Sequence, residues 1–360
     1  MSPLPSRATT SIVAIVACAL ALAACATDPA APSASASQAP DSPAASAAAS
    51  SNAQPSESAP AGESIDDRAD AMLDDVTGEP DFPLEGFGSI WALASDQEQP
   101  AILRIDPATT EIVDSIPLPG RECQGFTVTD DAVWACATDG VVRIDPATNA
   151  ITDEVPFDTG QVWGRLAFGS GSVWAIAVED GVPDQLMRID PAGMTATAIP
   201  LGHGAVSLAY GFDAVWVTAP QDGLVLRVDP ATGDVTEHAS GLERPFTIVA
   251  GPDSLWLTLF GSEDLAPGDP TVLRIDPADG SAVTEIATGA ASLGKGGLWA
   301  ADDAVWVRAP DNQFLTRIDP TTNEVVETFT GPPGTGDVTV AFGSVWITAG
   351  NALRIYRMTP

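Results

Sequence analysis

Histidine, cysteine and cations are scarce in this sequence. Its 360 residues include two histidines, four cysteines and 15 Lys or Arg against 49 Asp or Glu, for a formal net charge of -34. His203 and His238 are too few to build a zinc site that needs two or three imidazoles, so no metal centre and no cofactor are expected. The negative field opposes capture of phosphate backbones, which excludes nucleic acid as a partner. No GxSxG, HExxH or P-loop pattern occurs, which removes the common hydrolase, zinc-protease and nucleotide-binding chemistries. The N-terminal apolar run, Ile12 to Ala24, is too short for a permanent membrane span.

That run has another use. Preceded by Arg7, it has the form of a secretory h-region. Leu22-Ala23-Ala24-Cys25 resembles a bacterial lipobox, in which the cysteine becomes the lipidated first residue of the mature chain. Ile15-Val16-Ala17-Cys18 fits the same pattern, but apolar residues continue past Cys18, whereas Asp28 and Pro29 soon follow Cys25. Residues 1–24 are read as a lipoprotein signal peptide and Cys25 as the lipidation site, with a simple cleaved signal as the alternative. Residues 25–64 are almost wholly Ala, Ser and Pro with little to bury, so they are expected to form a disordered tether. Such a segment would reach roughly 35 to 120 Å from the membrane. The expected location is the outer face of the cell membrane, with the lipid anchor as the membrane contact and a monomeric body beyond it.

The rest of the chain repeats. Trp91, Trp134, Trp174, Trp216, Trp256, Trp306 and Trp346 each end a Val/Ile/Leu-Trp pair, at intervals of 40 to 50 residues. Alternating with them are six Arg-Ile/Val-Asp-Pro elements, at Arg104, Arg143, Arg188, Arg227, Arg274 and Arg317, and a worn seventh at Arg357. Each unit reads as four short strands, a to d. In the fourth these are Ser207 to Tyr210, Ala214 to Thr218, Leu224 to Val228 and Asp234 to His238, with Asp229-Pro230-Ala231-Thr232-Gly233 as the c–d turn. An all-β repeat of this length predicts propeller blades, hence an all-β, seven-bladed β-propeller over residues 65–360. The tryptophans are then wedges between blades and the repeat arginines are inter-blade bonds. The last unit stops after strand c, so Met72 to Thr77 is expected to supply its outer strand and close the ring.

Segments such as Val215-Trp216-Val217-Thr218 followed by Leu226-Arg227-Val228-Asp229-Pro230-Ala231-Thr232-Gly233 resemble the YVTN-type bacterial surface propellers and the streptogramin-lyase-like propellers. The second resemblance implies a histidine base and a carboxylate-held magnesium ion near the central channel, opening a cyclic depsipeptide by elimination. By position His203 is the candidate base, with Glu243 or Asp337 as ligands. The lyases' Asp-Gly-Asn-x-Trp-Phe-Thr-Glu blade signature is replaced here by forms such as Asp213-Ala214-Val215-Trp216-Val217-Thr218.

Function is expected where the repeat breaks. The d–a and b–c loops share one face, which varies, while the a–b and c–d turns share a monotonous one. Nine to thirteen residues upstream of each Trp, the d–a segments place Asp81, Phe82, Arg121, Gln124, Trp163, Arg165, His203, Ser207, Glu243, Arg244, Phe246, Lys295 and Asp337. Four cations converging on one mouth of an acidic protein, with aromatics beside them, point to an anionic or aromatic-bearing ligand. The candidate ligand-binding residues are Arg121, Gln124, Trp163, Arg165, His203, Arg244, Phe246 and Lys295, with charge balance against Glu122, Glu243 and Asp337 as the competing reading. The leading expectation is a binding or scaffold module for a ligand or cell-envelope protein, and the alternative is a lyase. Cys123 and Cys136 are read as a disulfide of one a–b hairpin, and His238 as a surface residue of a strand d.

Overall fold

The computed structural model describes residues 62–360 apart from 97, 121–124, 138, 161–165, 180, 261–270, 291–292, 294–295 and 312. The expected signal peptide, Cys25 and nearly all of the tether lie outside the described residues.

The body is an all-β propeller of seven sheets, each ordered a-b-c-d. Blade four is built from Ser207–Gly211, Ala214–Ala219, Leu224–Val228 and Val235–Ala239, within a residue of the expected bounds. In every blade the wedge tryptophan of strand b stands directly opposite the repeat arginine of strand c, from Trp91 and Arg104 to Trp346 and Arg357. All seven indoles are at most 1% exposed. Each packs into the next blade: Trp216 clusters with Ile248, Leu255 and Leu257 of blade five, and Trp346 with Ile90, Ala92 and Ile105 of blade one. The indole N–H of Trp91, Trp174, Trp216 and Trp346 donates to the carbonyl five residues upstream, at 2.8 to 3.3 Å, so the buried polar group is satisfied without leaving its own hairpin.

The arginines complete the frame. Arg104 Nη1 donates to the carbonyl of Pro146 at 2.7 Å and to Asn149 Oδ1 at 2.8 Å in the c–d turn of blade two. Arg274 repeats both bonds with Pro320 and Asn323 of blade six. Those turns are held ready by their own aspartates: Asp229 Oδ1 accepts from the backbone N–H of Ala231 at 2.8 Å and of Thr232 at 3.0 Å.

The ring closes through the N-terminal segment. Ala71–Leu73 pairs antiparallel with Arg354–Met358, strand c of blade seven, with Met72 opposite Tyr356. The expected outer strand is therefore present, one residue earlier at its start and shorter. The structure adds a second tie. Glu63–Ser64 pairs parallel with Glu324–Thr330, making blade six five-stranded, and these two residues fall within the stretch read as tether. Between the ties, the single helical turn Ile65–Arg68 buries Ile65 completely.

Candidate functional site

Of the eight candidate ligand-binding residues, His203, Arg244 and Phe246 are described, while Arg121, Gln124, Trp163, Arg165 and Lys295 lie outside the described residues, as does Cys123. Cys136 is 6% exposed, on strand b of blade two.

The three described candidates occupy one sector of the loop face, on blades four and five. His203 leads into strand a of blade four, and its Nδ1 lies 2.9 Å from Asp222 Oδ2 in the b–c turn of the same blade. Both side chains reach solvent, at 30% and 47% exposure, so the pair is a surface feature with ring access rather than a core contact. The next residue of that turn, Gly223, accepts at 3.0 Å from the N–H of Leu242, which joins the turn to the segment entering blade five. That segment carries Glu243, which is exposed, and Arg244, which is half-buried.

Arg244 has a left-handed backbone, φ 52°, an uncommon conformation for a residue with a long side chain. The kink lays its guanidinium over the ring of Phe260, 4.2 Å from the centroid, and the Phe246 ring leans against the same ring at 5.4 Å, tilted by 54°. The N–H of Phe260 donates to the Arg244 carbonyl at 2.9 Å, which pins the two segments together. Phe246 is positioned from behind by Thr218, whose hydroxyl donates to its carbonyl at 2.7 Å. The register of strand a slips here between Pro245 and Ile248, and an equivalent slip occurs in blade one between Asp81 and Leu84, where Phe82 has φ 49°. The two irregular strands both break the repeat at the channel end, as binding segments on a rigid scaffold do. The cation–π contact fixes the position of the guanidinium over the ring.

Asp337 is not a mouth residue. It is 2% exposed, and its Oδ1 accepts from the Val338 N–H at 2.7 Å. Beside it lies Arg308, a fully buried cation that the column count leaves out. Its guanidinium stands 3.9 Å over the Phe314 ring and donates to the carbonyls of Thr348, Gly334 and Phe314 at 3.2 to 3.4 Å. Burial lowers its pKa to about 10 despite the opposing fields of Asp81, Asp311 and Asp337. One signal marks it in the sequence. Two residues after each Trp the blades place Leu93, Cys136, Ile176, Thr218, Thr258, Arg308 and Thr348, so Arg308 is the charge in an uncharged column.

One further expectation changes. His238 is half-buried, its ring 4.6 Å edge-on from Trp216 and its Nε2 3.1 Å from the Asp276 carbonyl, so it belongs to the blade interface. Among the described residues no group of three or more His, Cys, Asp or Glu gathers to hold a metal ion, and Asp337 is occupied in the wall with Arg308 nearby. Of the ligands implied by the lyase resemblance, Asp337 is buried and Glu243 is exposed on the segment entering blade five. Asp222 and Phe260, which hold His203 and Arg244, lie after the Trp of their blades, outside the column that carries the expected site.

No family model and no curated protein matches the chain. Solved structures do. A streptogramin B lyase matches with a TM-score of 0.65 at 17% identity, over 80% of this chain and 96% of that one. Hydrazine synthase of Kuenenia stuttgartiensis matches with a TM-score of 0.63 at 11% identity, over 80% and 97%. The Pan2 WD40 domain of Neurospora crassa matches with a TM-score of 0.59 at 13% identity, over 78% and 88%. At these identities the likeness establishes the propeller fold.

Proposed function

We propose that this protein is an exported, lipid-anchored binding module that captures an anionic, aromatic-bearing ligand, or a cell-envelope protein presenting such a group, at the loop-face mouth of its propeller. The observation that carries the reading is Arg244, held in a left-handed backbone with its guanidinium over Phe260, in the same sector of the loop face as the solvent-reaching His203. In a protein of net charge -34 cations are scarce, and one fixed at a channel mouth offers an anion a contact that the rest of the surface does not favour. Arg121, Arg165 and Lys295, from the neighbouring d–a segments, would add to it, with Gln124 and Trp163 as further contacts. Changing Arg121, Arg165, Arg244 and Lys295 together to Ser should abolish binding of aromatic carboxylates and phosphates in a titration panel. Unaltered binding would reduce these cations to charge balance.

The anchor and the bridge belong to the same proposal. Cys25→Ser should release the protein from the membrane fraction, and Cys123 and Cys136 should resist thiol labelling until reduced.

A second reading, a lyase at the same mouth, is favoured by the His203–Asp222 pair, since a carboxylate on one ring nitrogen orients the imidazole as a base. The two readings separate on His203→Asn. A lyase should lose turnover by ~10² or more, and a binding module should keep most of its affinity.

A further inference from the structure

The turn face, monotonous in sequence, holds an unexpected set of side chains. Phe87, Phe212 and Phe342 occupy the first position of the two-residue a–b turns of blades one, four and seven, with φ of 50°, 51° and 51°, and they are 36%, 38% and 44% exposed. The residues after them, Gly88, Asp213 and Gly343, also have positive φ, so these are turns that favour Asn, Asp or Gly at both positions. A bulky aromatic there is strained, and more than a third of each residue stays open to solvent. The same turn position holds Asp130, Ser170, Pro252 and Asp302 in the other four blades, so the hairpins do not require phenylalanine. The chain thus keeps three rings at strained, solvent-reaching tips that other residues fill elsewhere in the ring, and such apolar tips are suited to contact with something outside the chain.

Two neighbouring features define the chemistry of that contact. A notch of about 370 Å³ opens on the same face between blades five and six, lined by Pro252, Asp253, Arg274, Asp302, Pro320 and Thr321. It lies on an arc that runs from Phe212 in blade four to Phe342 and Phe87 in blades seven and one. Along the arc stand the turn carboxylates Asp229, Asp276 and Asp319, and the first and last are held below the usual carboxylate range by backbone N–H groups that favour the ionised form. The fixed negative charge opposes a second copy of this chain, nucleic acid and an anionic lipid surface alike.

We propose that the turn face is a docking surface for a cationic, amphipathic protein segment, whose apolar residues cover Phe87, Phe212 and Phe342 and whose Lys or Arg side chains meet the turn carboxylates, one of them entering the notch at Asp302. This surface is opposite the loop-face mouth and does not depend on it.

The test uses the full chain and a synthetic peptide of alternating lysine and leucine, with a glutamate–leucine peptide and anionic lipid vesicles as the other two probes. The lysine peptide should bind and protect amides at 87–88, 212–213 and 342–343 from hydrogen exchange. Phe87→Asn, Phe212→Asn and Phe342→Asn combined should weaken it about tenfold or more without lowering Tm, because asparagine suits the left-handed turn. Asp302→Asn should weaken it separately. Equal affinity of the triple variant, protection confined to the loop face, or equal binding of the glutamate peptide or the vesicles would overturn the proposal.

Discussion

The guanidinium of Arg357, on the last strand of the chain, donates to the carbonyl of Pro107 in the first blade at 2.7 Å. Arg104 makes the same contact with Pro146, and Arg274 with Pro320, each one blade further round. In these three blades the repeat arginine is thus a bond from strand c to the Asp-Pro turn of the next blade, and at Arg357 it spans the seam where the ends of the ring meet. A charged donor on a carbonyl is worth about 1.5 to 3 kcal/mol, so Arg357→Ala should lower unfolding free energy in urea by about that much. Arg143 instead meets Asp131 at 2.9 Å and Asp153 at 3.5 Å, both well exposed. Arg143→Ala should cost less than about 1 kcal/mol.

Trp216 is fully buried between blades four and five, with His238 against its edge. Trp216→Ala should destabilise by roughly 3 to 5 kcal/mol. An unchanged denaturation midpoint would contradict its role as a wedge.

Arg308 is the one buried cation of the inner wall among the described residues, in the field of Asp81, Asp311 and Asp337. Arg308→Met removes the cation and leaves Asp337 buried, a change expected to cost about 3 to 5 kcal/mol. Adding Asp337→Asn should restore part of the loss, measured as a double-mutant cycle.

The N-terminal segment clasps the last strand with acids. Asp66 accepts from the Tyr356 hydroxyl at 2.9 Å, Asp74 from Arg354 at 2.7 Å, and Asp70 from both the backbone N–H and the hydroxyl of Thr359. Those two bonds from Thr359 hold Asp70 below the usual value of 3.8. A depressed carboxylate stabilises the fold above its unfolded pKa and ceases to do so as pH falls through its folded one. The stability difference between wild type and Asp70→Asn should be constant above about pH 4 and shrink below it. Deleting residues 63–78 should lower Tm of the whole propeller, since it removes the outer strand of blade seven.

The blade frame was legible because Trp and Arg-x-x-Pro recur at positions fixed by cross-strand pairing, and a repeated pair leaves a periodic trace. Ala71–Leu73 was legible for the same reason, since it fills a vacancy in the repeat. Glu63–Ser64 was not, because two residues pairing through backbone alone carry no side-chain pattern. At the site, the column upstream of each Trp located His203 and Arg244 but not Asp222 or Phe260. These act through contacts between loops, which periodicity does not encode. The column also placed Asp337 at the mouth, where the structure shows wall, because sequence distance from Trp does not distinguish a residue facing the channel from one turned into the seam.

The most direct test of the loop-face assignment is a crystal structure of the full chain soaked with a pool of aromatic carboxylates and phosphates. The account predicts ligand density against Arg244 and Phe260, within reach of His203, and its loss in the Arg244→Ser crystal. Density confined to the turn face, or unchanged in that variant, would contradict it.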